Sequence, residues 1–333
     1  MRPLPYYILL AKLTNRVLLI KWSKPHDLSE FLVPPKGGLD WRSTPVLDGI
    51  ANQIGIKFKF KKTIENGCNE TFVSNFTEGF YRCVEIAKTS EAQYYFISGS
   101  RCHNKINELN DLFQKYSNSE KNEALVPLTG FDFVHSFGDI FRIFFEPVAQ
   151  ISRSIHEKMD DLGLIENQYD SVHIRARYPT DDLLKADKHA GMMDKQGGLN
   201  FHRNKDIMNY LVNKSTKAIQ YASNVSSDAS ILFLASDSND VSKFMVNHIT
   251  EMEILKDSQK LVSIIRGKEP LHFDIDFIDG TRPSDFFSIF EDFLIMGGSN
   301  CVLYGEGSFG SFGAGLINNK CRKNYQKNKK VLC

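Results

Sequence analysis

From Phe137 to Leu164 apolar residues recur every three or four positions, at Ile140, Phe144, Val148, Ile151, Ile155 and Met159. That spacing predicts one long helix. Beyond it the chain alternates between compact apolar runs and amphipathic stretches. Tyr169–Arg175, Ser230–Ala235, Leu261–Ile265 and Asn300–Tyr304 read as strands; Lys205–Ser223, Val241–His248, Asp285–Gly297 and Ser311–Asn318 read as helices. Strands alternating with helices imply βαβ units around a parallel sheet. Before Phe137 the runs are shorter and broken by polar, proline and glycine clusters. A helix at Tyr6–Thr14 and strands at Val17–Trp22, Lys57–Phe60 and Tyr94–Ser98 are expected there, with a loop at Pro34–Gly38. The predicted α/β chain therefore has two domains, residues 1–150 and 151–333, bridged by the long helix.

Composition narrows the class. The 333 residues carry 41 Lys and Arg against 40 Asp and Glu, a formal charge of +1, with 42% hydrophobic residues. A core is affordable, so wholesale disorder is excluded. The net field used by nucleic-acid binders is missing, so no nucleic-acid partner is expected. The apolar start is interrupted at Lys12 and Arg16 and falls short of the ~20 residues that cross a bilayer. No signal-peptide pattern or membrane anchor is visible. Six cysteines include no C-x-x-C pair and no zinc spacing, so disulfides are allowed but not implied and no metal site is expected. Asn-x-Ser/Thr sequons at Asn69, Asn75, Asn213 and Asn224 exceed chance only slightly. Six Lys and Arg between Lys320 and Lys330 read as a solvated tail.

In a parallel sheet, ligands bind beyond the carboxyl ends of the strands. Three segments lie there: HIRARYPTDD, ASDSND and GEGSFGSFG. His173 and Arg175, two apart on a strand, point to one face and can hold one ligand together; Arg175 offers a planar fork suited to phosphate. Asp237 or Asp240 can cap the helix that follows. Gly305–Gly310 matches G-x-G-x-x-G and opens a helix, the geometry of an anion-binding turn. No acidic residue follows Glu306 and only 23 residues remain after Gly310. The remaining repeats of a dinucleotide fold have no room, so a nicotinamide-dependent oxidoreductase is not expected.

LLAKLTNRVLLIKW (Leu9–Trp22), SVHIRAR (Ser171–Arg177), LFLASDSNDV (Leu232–Val241) and FEDFLIMGGSNCVLYGEGSFGSFGAGL (Phe290–Leu316) occur in this order. Together they resemble the GDP-fucose-dependent fucosyltransferase superfamily of α-1,6-fucosyltransferases and protein O-fucosyltransferases. The resemblance implies a GT-B-like architecture, two Rossmann-like domains facing across a cleft, with the C-terminal one holding the donor. It implies inverting transfer of fucose from GDP-fucose to a glycan or protein hydroxyl, with no metal and no cofactor. Arg175 would be catalytic, stabilising the β-phosphate leaving group. His173 and Asp292 would contact guanine or ribose. Ser308, Phe309, Ser311 and Phe312 would supply the closing motif, and Asp237 would lie beside the nucleotide or serve only as a cap. Golgi or endoplasmic reticulum lumen is the implied location.

Two departures stand out. Ala176 occupies the place of a second arginine found in relatives with H-x-R-R, with Arg177 as its potential substitute. The family also opens with a strand and a G-x-G-N/D-R loop, and Met1 falls inside that region. A truncated gene model or a non-catalytic nucleotide-sugar-binding relative are the two expectations this raises. The acceptor and the general base are not specified by the sequence; Glu306 and Asp285 are the conceivable bases.

Overall fold

The computed structural model describes residues 17–20, 26–42, 94–97, 133–177, 201, 205–226, 229–256, 258–271, 280–305, 307–317 and 321–325. The expected helix Tyr6–Thr14 and strand Lys57–Phe60 lie outside them. The chain divides into two compact units, Met1–Glu146 and Pro147–Cys333.

In the first unit, β1 (Val17–Ile20) pairs in parallel with β3 (Tyr94–Ile97), from Val17 against Tyr94 to Ile20 against Ile97. Between them in sequence lies the short β2 (Leu32–Val33). The Ile20 amide donates to the Trp41 carbonyl at 2.7 Å. Phe31, Leu32, Trp41, Phe137, Phe141 and Phe145 are buried, and the Phe141 ring packs on those of Phe137 and Phe145, 5.9 and 5.3 Å between centroids. The Trp41 ring meets Phe145 edge-on, 5.0 Å between centroids, and its indole N–H donates to the Phe144 carbonyl. A buried indole that finds an acceptor keeps its apolar gain without an unpaired donor.

The long helix of the sequence reading is two helices. α1 (Phe133–Phe144) ends before β4 (Glu146–Pro147), and α2 (Ala149–Leu162) starts afresh. Pro147 is the reason: it has no N–H to donate, and its ring pushes Glu146 out of the helical region. Continuous apolar spacing across Pro147 hid the break. α2 closes on Gly163, left-handed at φ 67°, a conformation that glycine adopts without steric cost.

The second unit holds β5 (Asp170–Ile174), β6 (Ile231–Ser236), β7 (Lys260–Val262), β8 (Cys301–Tyr304) and β9 (Cys321–Asn324). All pairings are parallel, and the spatial order is β7-β6-β5-β8-β9. In chain order this is 3-2-1-4-5, a Rossmann-like half whose direction of winding reverses between β5 and β8. Every residue of β5 is buried. Val172, Ile174, Leu232, Leu234, Leu261 and Leu303 pack on one face. That face meets α3 (Lys205–Val225) and α4 (Asn239–His248). Phe233, Ala235, Val262 and Val302 face the other way, toward α2, α5 (Phe287–Gly297) and α6 (Ser308–Leu316). α6 begins three residues before the expected Ser311.

Two further expectations are corrected. The N-cap of α4 is Ser238, whose Oγ accepts from the Val241 amide at 3.3 Å; neither Asp237 nor Asp240 caps it. The basic tail is not wholly solvated, since Cys321–Asn324 pairs with β8 as the edge strand, and a disulfide joins the register partners Cys301 and Cys321. Lysine and arginine on an edge strand discourage further pairing, which is why CRKN does not read as a strand. Among the described residues no helix is long and apolar enough to cross a membrane.

Candidate functional site

The reversal between β5 and β8 brings the strand end after β5 beside the turn into α6. His173 pairs in register with Tyr304 of β8, and its side chain lies only 4% exposed. The imidazole approaches the Phe309 ring, 5.3 Å between centroids, and Phe309 in turn packs on Phe293 at 5.7 Å. Gly310 lets α6 come this close: a Cβ there would stand 2.7 Å from the His173 Nδ1. Among the described residues that Nδ1 has no hydrogen-bond partner.

Burial keeps this imidazole neutral. It lowers the pKa from 6.5 to about 4, opposed by Asp237 and assisted by Arg175 and Lys214. Between those values the unfolded chain binds a proton that the folded chain refuses, so stability falls as pH drops through that window. The full difference is about 3 kcal/mol. Urea titrations at pH 7 and pH 4.5 should show this loss in the native protein. His173→Gln should lose less by roughly that amount, and equal losses in both would contradict the assignment.

Arg175 follows β5 and is half-buried. Its guanidinium lies against Gly307, where a Cβ would stand 2.7 Å from Nη1. Gly307 is the N-cap of α6 at φ 82°, a backbone state open to glycine at little cost. It has no side chain to occupy the first-turn N–H groups. An arginine beside a helix N-terminus is an arrangement that attracts phosphate. The N-terminus of α4 is closed by side chains. There Glu269 accepts from the Asn239 and Asp240 amides at 2.7 and 3.2 Å, so that helix end is filled by the protein itself.

Asp237, next to the last residue of β6, accepts from the Ala176 and Arg177 amides at 2.5 and 3.0 Å. It thereby fixes the course of the chain leaving β5 and the position of Arg175. Arg177 is buried at 2% exposure, with Nη1 donating to the Pro270 carbonyl at 3.0 Å. Arg177 thereby ties the chain leaving β5 to the segment after β7. Ser308 opens α6; Ser311 and Phe312 lie half-buried further along it.

Asp292 on α5 is 5% exposed and pairs with Arg266 Nη2 at 2.7 Å. Arg266 also reaches the Ser288 carbonyl at 3.3 Å and Glu291 at 3.5 Å. Glu291 accepts from Ser154 Oγ at 2.8 Å and pairs with Lys158. Burial pushes the Asp292 carboxyl above its ordinary value against the pull of Arg266. Burial acts on Glu291 in the same sense, but the hydrogen bonds from Lys158 and Ser154 outweigh it and hold that carboxyl low. Asp285 hydrogen-bonds Lys268 Nζ at 2.8 Å and the Arg282 amide at 2.9 Å, and these hold it below its usual range. A carboxylate so stabilised is a weak proton acceptor. Glu306 lies outside the described residues.

Arg266 and Glu269 were not singled out in the sequence. Both belong to the segment after β7, a strand end equivalent in topology to HIRARYP, and position relative to the sheet was the available signal.

No protein-family model and no curated protein matches the chain. Among solved structures it is similar to a mutant of the Arabidopsis thaliana fucosyltransferase FUT1 in complex with GDP. The TM-score is 0.54 at 10% sequence identity, over 97% of this chain and 66% of that one. The two share an α/β fold, and the GT-B-like class expected from the sequence is the class of this neighbour. The chain spans just under two thirds of the neighbour's length.

Proposed function

We propose that this protein is a glycosyltransferase that moves fucose from GDP-fucose, with inversion, to a hydroxyl of a glycan or glycoprotein. The observation that carries the reading is Arg175 against Gly307, an arginine beside the glycine N-cap of α6 at the point where the sheet reverses. A diphosphate placed there gains a fork of N–H donors and the positive end of a helix. As the glycosidic bond breaks, negative charge grows on the β-phosphate, and Arg175 strengthens its hold at that moment. His173 and Asp292 face guanine or ribose in this reading, with Ser308, Phe309, Ser311 and Phe312 closing over the donor and Asp237 beneath it. The neighbour's GDP complex and the ordered sequence motifs support it. No cofactor is invoked. The Cys301–Cys321 disulfide supports an oxidising compartment such as the Golgi or endoplasmic reticulum lumen.

A non-catalytic nucleotide-sugar-binding role on the same scaffold is the second reading. It is favoured by the engagement of Asp237, Glu269, Asp285 and Asp292 in bonds within the protein. Calorimetric titration with GDP separates both readings from a different ligand class. Saturable binding is expected at micromolar GDP; absence of heat would refute both. Fucose release or transfer from bound donor then decides for the enzyme.

A further inference from the structure

Gly305 ends the run of β8 and begins the turn into α6. The Tyr325 ring lies directly on it, in the space that any side chain at Gly305 would need. Tyr325 follows β9. Its hydroxyl donates to the His173 carbonyl at 3.1 Å, and its amide donates to the Tyr304 carbonyl at 3.0 Å. One residue thus touches the ends of both strands that flank the reversal. The strand that delivers it is tied to β8 at its other end by Cys301–Cys321. Arg175 meets the same turn at Gly307, two residues beyond the ring.

Two glycines in three positions give this turn wide conformational freedom when unsupported. Anion binding by helix N–H groups needs them held in convergence before the ligand arrives, because ordering a loose turn on binding subtracts from affinity. Tyr325 supplies that restraint at Gly305. It packs against the apolar cluster on the α3–α4 face of the sheet, so its own position is set by burial.

We infer that Tyr325 is a positioning residue for the anion site: delivered by β9, it braces the β8–α6 turn so that α6 and Arg175 converge on one diphosphate. What the turn binds rests on the proposed function; the bracing itself does not.

Amide hydrogen exchange on the unliganded full chain, with GDP and guanosine titrations alongside, tests both parts. In Tyr325→Ala, exchange across residues 307–312 should accelerate at least about tenfold while residues 231–236 stay unchanged. GDP affinity should fall about tenfold and guanosine affinity should hold, because only the phosphates meet the turn. Gly305→Ala, which displaces the ring without deleting it, should reproduce both effects, and the double variant should be no worse than either single one. Tyr325→Phe keeps the ring and should stay within threefold of the native protein. Unaltered exchange at residues 307–312, additive losses in the double variant, or equal losses for GDP and guanosine would overturn the inference. Accelerated exchange in a protein that binds no GDP would support the brace and overturn the proposed function instead.

Discussion

Under the proposed function, Arg175→Ala is expected to lower fucosyl transfer by about three orders of magnitude or more while leaving the fold intact. Removing one preorganised donor from developing charge costs on the order of 10²–10³ in rate, and a charged arginine on a transferring phosphate reaches 10³–10⁵. Arg175 is half-buried, follows β5 rather than lying within it, and rests against a glycine, so truncation leaves the sheet undisturbed. The same substitution should weaken GDP binding less than it slows transfer, because the charge on the leaving phosphate is greatest in the transition state. Arg175→Lys should restore part of the binding and little of the rate, since an ammonium lacks the planar fork. Donor hydrolysis and transfer assays, calorimetry and circular dichroism give the four readouts. Transfer retained within tenfold of the native rate in Arg175→Ala would remove the catalytic role. Loss of GDP binding and transfer together with the circular dichroism spectrum would show a structural residue instead.

What the sequence made legible follows from the range of the interactions involved. His173 and Arg175 could be placed on one face because strand side chains alternate with period two, a property of two neighbouring residues. Both do meet α6, His173 at Phe309 and Gly310 and Arg175 at Gly307. β5, β6 and β8 were readable because buried parallel strands are nearly continuous apolar runs. The failures share a different cause. The Pro147 break was masked by apolar spacing that continues through it. β9 has the composition of a solvated end and becomes a strand only because β8 offers a free edge beside it. Ser238 rather than Asp237 caps α4 because Asp237 is drawn to the Ala176 and Arg177 amides, sixty-odd residues earlier in the chain. Arg266 and Tyr325 matter through contacts made across the sheet ends, and no local spacing announces such partners. The sequence pattern thus placed His173 and Arg175 at a strand end, while the groups that hold that strand end in shape came from tertiary pairing.

Arg266→Met is expected to destabilise the protein by about 3–5 kcal/mol, the cost of leaving a buried carboxylate without its partner. Asp292 is 5% exposed and Arg266 is the cation 2.7 Å from it. Lys158 remains for Glu291, which already accepts from Ser154, so the penalty concentrates on Asp292. At roughly 2–4 °C per kcal/mol for a chain of this size, the melting midpoint should drop by on the order of 10 °C. Asp292→Asn should cost less, because a carboxamide oxygen still accepts from the guanidinium while the charge balance is only partly lost. The decisive comparison is the double variant Arg266→Met/Asp292→Leu, which removes both charges and leaves apolar groups of similar bulk. It should recover much of the stability lost in Arg266→Met, since replacing a buried pair is far cheaper than breaking it. GDP binding should not recover with it if Asp292 also meets the nucleotide. Recovered stability without recovered binding assigns the pair both tasks, and recovery of both would confine it to the fold. A melting midpoint for Arg266→Met within 2 °C of the native protein would show that Asp292 draws little from this pair.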